Sequence, residues 1–403
     1  MRKEDMHYDI FCGIDIGKEE HYLVALSPLD DTRILSCPLA QDQEKIEGVL
    51  SQLASMGKVL VVVDQHGCIG RLVVAVAQAM GIDVAHISPR NFKKAADTYG
   101  ELKTDAFDAF VIADVARSLP RMIESVVKHP EVIEELKVLC SFRADTVKER
   151  TAVYNRLHDC LHKVSPPLEH LFAGEGLHTE IALALLARYG GPLGFRRAGQ
   201  VRVCRWASNL KHQRSQGPAK VAEVFAALSE VTVALPGAAI LEDEIKVLAF
   251  RIKELNALAD RLKKQIIERS ALVPEVELLM SMPGCGDVLA PSIISEIGDI
   301  ERFEDADHFA SYGGVAPKKK ESGKSVKGAK KAKGGNRRLK NALVQLAWSS
   351  CSHNALSRAY YDKKRAENKS HKQALLALAR RQAEVIFAML KTGTYYQSLS
   401  KAA

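Results

Sequence analysis

Four aspartates are the residues of this chain whose types and spacing could do chemistry. Asp15 ends a strand-like apolar stretch, Asp64 follows the apolar run Val59–Val63, and Asp105 and Asp108 lie three residues apart. Residues three apart share one face of a helix. Carboxylates gathered at one point repel one another unless cations neutralise them, and oxygen ligands select Mg²⁺ or Mn²⁺. The pattern predicts a centre at which two metal ions could promote displacement at a phosphodiester.

Each aspartate also has a purely structural interpretation. Asp64 could be a turn residue that ends a strand, Asp105 an N-cap after Thr104, and Asp108 a solvated helix charge. The joint occurrence of all four with a suitable strand order favours the metal site.

The elements that would position these aspartates follow from apolar periodicity. Their order, β-β-β-α-β-α-β-α, is that of an RNase H-like fold, a mixed sheet with helices on both faces. In that fold the fourth strand adjoins the first, so Asp15 and Asp64 are expected side by side. Strands are predicted at 8–16, 21–27, 33–37, 58–64 and 83–87, and helices at 43–56, 70–80 and 104–118.

The rest of the chain is predicted to be mainly helical. A helix is expected over 130–163, and a seam of apolar residues at alternating steps of four and three indicates a second long helix. The two form either a hairpin whose helices pack only on each other or a self-association arm. Residues 170–235 show no interpretable pattern. The seam consists of Leu241, Ile245, Leu248, Ile252, Leu255, Ala259, Leu262 and Ile266.

A third compact unit is expected after Pro274. Its glycine-containing turn Met280–Gly286, followed by a helix over 289–297, resembles a helix-hairpin-helix that offers backbone N–H groups to a DNA phosphate. The alternative is an ordinary turn between two helices. The predicted domains are therefore 1–120, the coiled-coil region 121–270 and the C-terminal region 271–403.

A strongly basic segment lies in the last of these domains. Between Lys318 and Lys340 there are eleven Lys or Arg residues and one acid, Glu321. This density with glycine predicts a flexible phosphate-binding loop, not a packed element. Ser322 lies inside it, where cations could stabilise charge on a phosphate under attack. The candidate nucleic-acid contacts are Lys318, Lys319, Lys320, Lys324, Lys327, Lys330, Lys331, Lys333, Asn336, Arg337 and Arg338.

Composition limits the class of protein. The chain has 403 residues, 47% of them hydrophobic and 26% charged, with a formal net charge of +8. That length predicts two or three domains. It contains no apolar run long enough to cross a bilayer, and its charged N-terminus lacks the apolar core of a secretory signal. The eight cysteines include no CxxC pair that would indicate zinc. We expect a cytoplasmic protein without a membrane partner.

At these residues the chain resembles the DEDD-type insertion-sequence transposases, which are bridge-RNA-guided serine recombinases with a RuvC-like N-terminal domain and a C-terminal transposase domain. The resemblance extends over nearly the whole length. It is carried by GIDIGKEEHY, KTDAFDA, the coiled-coil segment, LMSMPGCGDVLAPSIISEIGDIERFEDADHFASYGGVAP, ESG, KGGNRRLK and SHKQALLALARR.

The resemblance implies that Asp15, Asp64, Asp105 and Asp108 bind the metal and that Ser322 is the nucleophile, which forms a covalent phosphoserine link to DNA. The family usually carries Glu where this chain has Asp64, one methylene shorter. Ser325 is the alternative nucleophile, and Ser322 is preferred because the serine of the family directly precedes glycine. The implied partners are donor and target double-stranded DNA, a structured bridge RNA and further copies of the chain, as a dimer or tetramer.

Three rival functions remain open from the sequence. A RuvC-like Holliday-junction resolvase or nuclease would need the carboxylates but no serine. A sugar-kinase or actin-like ATPase could use Gly13–Gly17 as a phosphate-binding hairpin, although the second half of such an ATPase is missing. A non-catalytic nucleic-acid-binding derivative would need neither.

Overall fold

The computed structural model describes residues 7–397, apart from 101–103, 127–129, 175, 211–215, 231–232, 234, 317, 323–325 and 331–333. The chain divides into two compact units, Met1–Lys128 and His129–Ala403. The three-part division 1–120, 121–270 and 271–403 stays a prediction.

The N-terminal unit contains a six-stranded mixed sheet in the order β3-β2-β1-β4-β5-β6. The first and fourth strands are parallel neighbours, as the RNase H-like order requires, and Ile14 is in register with Val63. The α/β fold predicted for this part is therefore confirmed. Its strands are β1 Ile10–Asp15, β2 Glu20–Leu26, β3 Arg33–Ala40, β4 Val59–Val63, β5 Asp83–Ile87 and β6 Ile123–Ser125; its helices are α1 Gln43–Ala54, α2 Arg71–Ala79, α3 Pro89–Tyr99 and α4 Asp105–Ser118.

Helices cover both faces of this sheet because the central strands are apolar on both sides. In β1, Cys12 and Ile14 pack in a core with residues of α1 and α2. Phe11 packs on the opposite face, in a core with residues of α4. Side chains alternate along a strand, so Asp15 lies on the same face as Phe11, the face that α4 covers.

The close approach of α4 to β1 depends on Gly13. A Cβ added to Gly13 would lie 2.3 Å from the carbonyl oxygen of Ala109 and 2.4 Å from the backbone nitrogen of Ala113. Both alanines are completely buried against β2 residues. Small residues on the strand and on the helix thus let the two backbones touch, and this contact fixes the position of the first turn of α4.

Two elements of the N-terminal unit were not predicted. The helix α3 buries only Ala95, so it lacks the apolar stripe by which helices are found. It begins instead with the capping serine Ser88 and with Pro89 at its first position. The strand β6 is three residues long and pairs antiparallel with β5.

Two long antiparallel helices, α5 Glu131–Val164 and α11 Ala238–Ser270, form the frame of the second unit. Arg269 pairs with Glu135 near one end and Arg251 with Glu149 further along, so sequence numbers run in opposite directions. The predicted seam is buried from Ile245 to Ile266, whereas Leu241 is partly buried. A long helical hairpin is confirmed.

Each end of this hairpin packs into a separate core. One core joins Tyr154–Val164 and Ala238–Ile252 to the helices of residues 166–229, most of which fall in the stretch 170–235 that shows no interpretable pattern in the sequence. The other joins Ile133–Cys140 and Ile266 to the C-terminal helices. The former helices are α6 Pro166–Phe172, α7 Glu180–Tyr189, α8 Pro192–Ala198, α9 Gln200–Ser208 and α10 Gln216–Ser229; the latter are α12 Pro274–Met280, α13 Leu289–Ile297, α14 Ala306–Tyr312, α15 Arg337–His353, α16 Ala355–Ala366 and α17 His371–Thr392.

The basic segment differs from its prediction. Instead of a flexible loop, its described backbone forms an antiparallel pair of strands, β7 Lys318–Ser322 and β8 Val326–Lys330. The prediction was wrong because a run of lysines lacks the apolar alternation that marks strands, whereas backbone pairing needs no apolar residue. We call these two strands the basic hairpin.

No helix in the described ranges is both long enough and apolar enough to cross a membrane.

We expect Gly13→Ala to lower the free energy of unfolding by about 1–3 kcal/mol, because the new methyl group would force α4 away from β1. Chemical denaturation monitored by circular dichroism measures this change. The matched control is Gly48→Ala in α1, where an added Cβ meets nothing within 4 Å. That change should stabilise the helix by about 0.5–1 kcal/mol. Equal stability of the two variants would contradict the proposed contact.

Candidate metal and nucleic-acid site

Asp15 and Asp64 lie side by side at the carboxyl ends of parallel strands. Asp15 is the last residue of β1 and Asp64 directly follows β4, one position beyond the register pair Ile14 and Val63. Both lie on the face of the sheet that α4 covers, and both are half-buried. The Ile16 N–H donates to Asp64 Oδ1 at 3.2 Å, which orients the Asp64 side chain.

The first turn of α4 supplies the other two carboxylates. Thr104, and not Asp105, is the N-cap, since its hydroxyl oxygen accepts from the Phe107 N–H at 3.2 Å. Asp105 is therefore not needed as a cap. Asp105 is exposed, whereas Asp108 is half-buried and directly precedes Ala109, which touches Gly13. The contact between Gly13 and α4 thus brings this acidic turn towards Asp15.

Electrostatics show that the four acids share one neighbourhood. Burial, and after it the negative charges of Asp64, Asp108 and Asp105, together raise the pKa of Asp15 to about 7. Burial also raises the pKa of Asp64, against the lowering effect of the Ile16 hydrogen bond. In the described part of the chain, neither Asp15, Asp64 nor Asp105 forms an ion pair with Lys or Arg.

The buried acid Asp114 of α4 differs from these residues because an arginine neutralises its charge. Asp114, which is 8% exposed, accepts a 3.0 Å hydrogen bond from Arg117 Nε and another from the Tyr99 hydroxyl. Arg117 also pairs with Asp31. Asp114 therefore has a cation within its own helix, whereas Asp15, Asp64 and Asp105 have none among the ion pairs of the described residues.

The donor set fits Mg²⁺ or Mn²⁺ in its chemistry, because carboxylate oxygens are the ligands that these ions prefer. Among the described residues, however, no three His, Cys, Asp or Glu side chains already converge as a closed set of ligands. The four aspartates thus share an electrostatic field but not a finished coordination sphere.

His86 on β5 is a neighbour of the Asp64 backbone that sequence reasoning missed, and it shares the sheet face of Val63, opposite the carboxylates. Its Nε2–H donates to the carbonyl oxygen of Asp64 at 3.1 Å, and its ring lies 4.3 Å from that of His66. Burial lowers the pKa of His86, which keeps the imidazole neutral. The signal that could have found it is position, since β5 is the strand next to β4 and His86 is in register with Val63.

In the second unit, Gly314 before the basic hairpin and Gly335 after it are in contact at its base. Gly335 has a φ of 104°, and a Cβ there would lie 2.7 Å from the Tyr312 carbonyl oxygen and 2.9 Å from the Gly314 backbone. The Asn336 N–H donates to that same carbonyl at 2.6 Å. The residues that precede and follow the hairpin therefore meet directly, backbone against backbone.

The Asn336 side chain has all its polar atoms engaged at this base. Its oxygen accepts from the N–H groups of Arg338 and Leu339, both at 3.0 Å, and so caps α15. Its Nδ2 donates to Glu296 Oε2 at 2.7 Å and to the Tyr312 hydroxyl at 3.1 Å. These bonds give Asn336 a structural role, and a direct contact with nucleic acid stays a prediction.

The remaining predicted nucleic-acid residues fall into three groups. Ser322 ends β7 and is in register with Val326, in the last pair before the turn. Arg337 and Arg338 open α15, and Arg338 Nη2 lies 3.7 Å from Asp145 Oδ2. The strands contain Lys318, Lys319, Lys320, Lys327 and Lys330, while Lys324, Ser325, Lys331 and Lys333 lie outside the described residues.

The glycine-containing turn lies between two helices, α12 and α13, as the predicted helix-hairpin-helix-like element requires. Gly284, with a φ of 84°, packs on the backbone of α15, since an added Cβ would lie 2.7 Å from the Ser350 nitrogen. Gly286 faces open space. The first glycine is thus explained by packing within the chain, and only the second leaves room for the predicted phosphate contact.

We expect Asp15→Asn to stabilise the metal-free protein increasingly as the pH rises. The Asp15 carboxyl titrates at about 7 in the fold against an ordinary value of 3.8, so the folded state binds more protons between these limits. Wild-type stability therefore falls as the pH rises through this window and is constant above it. Denaturation in EDTA at several pH values measures the difference between the two proteins.

The control for this experiment is Asp97→Asn, which changes an exposed aspartate of α3 and should give a pH-independent difference. Adding Mg²⁺ should reverse the order of stability, because a ligand stabilises the form that binds it. A pH-independent gain for Asp15→Asn would contradict the raised pKa.

We expect Asn336→Ala to lower stability by about 1 kcal/mol through loss of the helix cap, and also to weaken DNA binding. The second effect follows because the base of the basic hairpin loses its bonds to Glu296 and Tyr312. Asn354→Ala is the matched control, since Asn354 caps α16 in the same way. Urea unfolding and fluorescence anisotropy should show similar stability losses but weaker DNA binding only for Asn336→Ala.

Comparison with known proteins agrees with this geometry. Residues 12–166 match the model of the DEDD transposases of the IS110 type, and residues 276–362 match that of the transposase IS116/IS110/IS902 family. The chain is 37% identical to the 43.6 kDa protein of insertion element IS110 from Streptomyces coelicolor, over 96% of both chains. It is 32% identical to the 44.8 kDa protein of IS116 from Streptomyces clavuligerus, over 96% of this chain and 95% of that one.

A third relative, the 42 kDa protein of IS900 from Mycobacterium paratuberculosis, is 31% identical over 99% of this chain and 100% of its own. Similarity of this extent covers the carboxylate site, the helical hairpin and the basic hairpin together. The chain belongs to the IS110 family of insertion-sequence transposases, whose activity is the cutting and rejoining of DNA.

Proposed function

We propose that this transposase cuts and rejoins donor and target DNA with divalent metal ions bound by Asp15, Asp64, Asp105 and Asp108, and with Ser322 as the nucleophile. The observation that carries the proposal is geometric: Asp15 and Asp64 lie at the ends of adjacent parallel strands, and the contact of Gly13 with α4 brings Asp105 and Asp108 towards them. A family of DNA-cutting enzymes has a direct use for such a set, because it attracts the cations that phosphoryl transfer requires.

The carboxylates would act by position and charge. When bound, Mg²⁺ or Mn²⁺ would polarise the scissile phosphate and offset its negative charge. Asp64 is held by the Ile16 N–H, and the first turn of α4 carries Asp105 and Asp108, so the four carboxylates come from β1, the end of β4 and α4. The contact between Gly13 and α4 keeps the last two in place relative to β1.

The covalent step assigned to Ser322 exchanges one phosphoester for another. The serine Oγ forms a bond to phosphorus while the bond from phosphorus to the 3′ oxygen breaks, and the serine proton is transferred to the departing 3′ hydroxyl. In rejoining, the 3′ hydroxyl of an exchanged strand attacks the phosphoserine and releases the serine. The number of phosphoester bonds is unchanged throughout, so the exchange of strands through a Holliday junction requires no ATP.

The proposal includes the partners that the resemblance implies. Ser322 of one copy would act with the carboxylates of another in a dimer or tetramer assembled on DNA. A structured bridge RNA would select both DNA sequences by base pairing, which leaves the protein to bind backbone and shape. The lysines of the basic hairpin support this division, because phosphate contacts carry little sequence information. Assembly in the cytoplasm is part of the same proposal.

We expect Ser322→Ala to abolish a covalent complex between protein and DNA. End-labelled DNA, incubated with protein, Mg²⁺ and the RNA transcribed from the flanks of the element, should show an SDS-resistant shift with the wild type. Ser325→Ala is the matched control and should retain the shift, because only Ser322 directly precedes glycine. Loss of the shift in Ser325→Ala alone would assign the nucleophile to Ser325.

Two omissions test the remaining parts of the proposal. EDTA, or Asp15→Asn, should prevent formation of the complex, and leaving out the RNA should prevent cleavage at the correct sequence. Cleavage by Ser322→Ala with no covalent complex in the wild type would indicate instead a nuclease that uses water.

A further inference from the structure

A second basic region lies in the helices between the two long arms, far in sequence from the basic hairpin. From Ile181 to Ala222 the chain contains no Asp or Glu. Across the whole chain the two signs are nearly balanced, with 57 Lys and Arg against 49 Asp and Glu. An acid-free stretch of this length therefore concentrates positive charge. Its cations are Arg188, Arg196, Arg197, Arg202, Arg205, Lys211, Arg214 and Lys220.

Three of these arginines form one surface with a tryptophan. Arg205 and Trp206 lie three and four residues after Arg202 on α9, so each of them is a neighbour of Arg202 on the helix surface. Arg188, at the end of α7, lies over the Trp206 ring, with its guanidinium carbon 5.1 Å from the ring centroid. We call these four residues the arginine face.

The arginine face is exposed and its charge is not balanced by acids. All three arginines are exposed and Trp206 is partly so. No ion pair between these arginines and an acid occurs in the part of the chain that the structure describes. The buried Glu242 nearby accepts from the Leu193 and Gly194 N–H groups at 2.7 and 2.9 Å, so its charge is used to fix α8.

Helix stability alone does not explain this surface. Arg188 and Arg205 lie in the last turns of their helices, where the helix dipole favours a cation by about 0.3–1 kcal/mol. Arg202 lies in the first turn of α9, where the helix dipole disfavours a cation. Neighbouring Val201 is 75% exposed, so the outer side of this helix is not a packing surface within the chain.

We propose that the arginine face binds the phosphodiester backbone of a nucleic acid, with Trp206 and the guanidinium of Arg188 as a platform for a base. Arginine recognises phosphate through fixed donor geometry, and unpaired bases stack on aromatic rings and guanidinium planes. This site is separate from the metal centre and from the basic hairpin. It depends on neither Ser322 nor the carboxylates, so a binding experiment tests it apart from the proposed chemistry.

The test compares binding by the full-length protein and the double variant Arg202→Glu/Arg205→Glu. Fluorescence anisotropy with a short duplex DNA and a short hairpin RNA, from about 50 to 200 mM salt, should show binding weakened roughly tenfold or more. The slope of log affinity against log salt should fall by about 2, because two phosphate contacts are lost. The probe that shows these losses identifies the natural ligand as DNA or RNA.

Lys148→Glu/Lys264→Glu is the matched control, since it makes the same change in net charge at exposed positions of α5 and α11. It should leave affinity for both probes much closer to that of the wild type. Thermal unfolding should show that both double variants are folded. Equal losses in the two double variants would mean that only total charge matters, and would overturn the assignment.

Trp206 provides a local readout. The chain has two tryptophans, so Trp348→Phe leaves Trp206 as the sole indole emitter. Nucleic acid should protect Trp206 from acrylamide quenching, and Arg202→Glu/Arg205→Glu in this background should remove the protection. Unchanged quenching in the presence of a saturating probe would overturn the proposal, whatever happens to the affinity.

Discussion

Direct contact between backbones at glycine is the constraint on which the rest of this structure depends. At Gly13 it fixes the distance between β1 and α4, and hence whether the carboxylates of Asp105 and Asp108 can share a field with Asp15. In the second unit, Gly335 meets the Gly314 backbone at the base of the basic hairpin, and Gly284 meets α15. In all three places a methyl group would separate elements that carry functional residues.

The distribution of charge complements this geometry. In the described part of the first unit, Asp15, Asp64 and Asp105 share one neighbourhood and form no ion pair with Lys or Arg, whereas the second unit carries the basic hairpin and the arginine face. Acids that only stabilise the fold are treated differently, since Asp114 has Arg117 and Glu242 has two backbone N–H groups. Among the described residues, the absence of an ion pair at Asp15, Asp64, Asp105 and the arginine face therefore distinguishes surfaces suited to ions and phosphates from charges that only hold helices together.

Much of this organisation could be predicted from sequence, and the failures have physical reasons. Asp15 and Asp64 end apolar strands, so their adjacency followed once β1 and β4 were placed in parallel, and the seam of α11 followed from its period. The helix α3 was missed because it buries little. The basic hairpin was mistaken for a loop because its strands lack apolar alternation. The bond between Asn336 and Glu296 joins residues 40 apart and has no local signal.

The basic hairpin lies in sequence between Gly314 and Gly335, which are in contact, and its length sets how far Ser322 lies from the start of β7. A strand advances about 3.4 Å per residue, so the four steps from Lys318 to Ser322 span roughly 14 Å. Adding one residue to each strand would lengthen that span by about 3.4 Å, and adding two would lengthen it by about 7 Å. The number of residues in β7 and β8 therefore sets how far Ser322 lies from the start of the basic hairpin, in steps of about 3.4 Å.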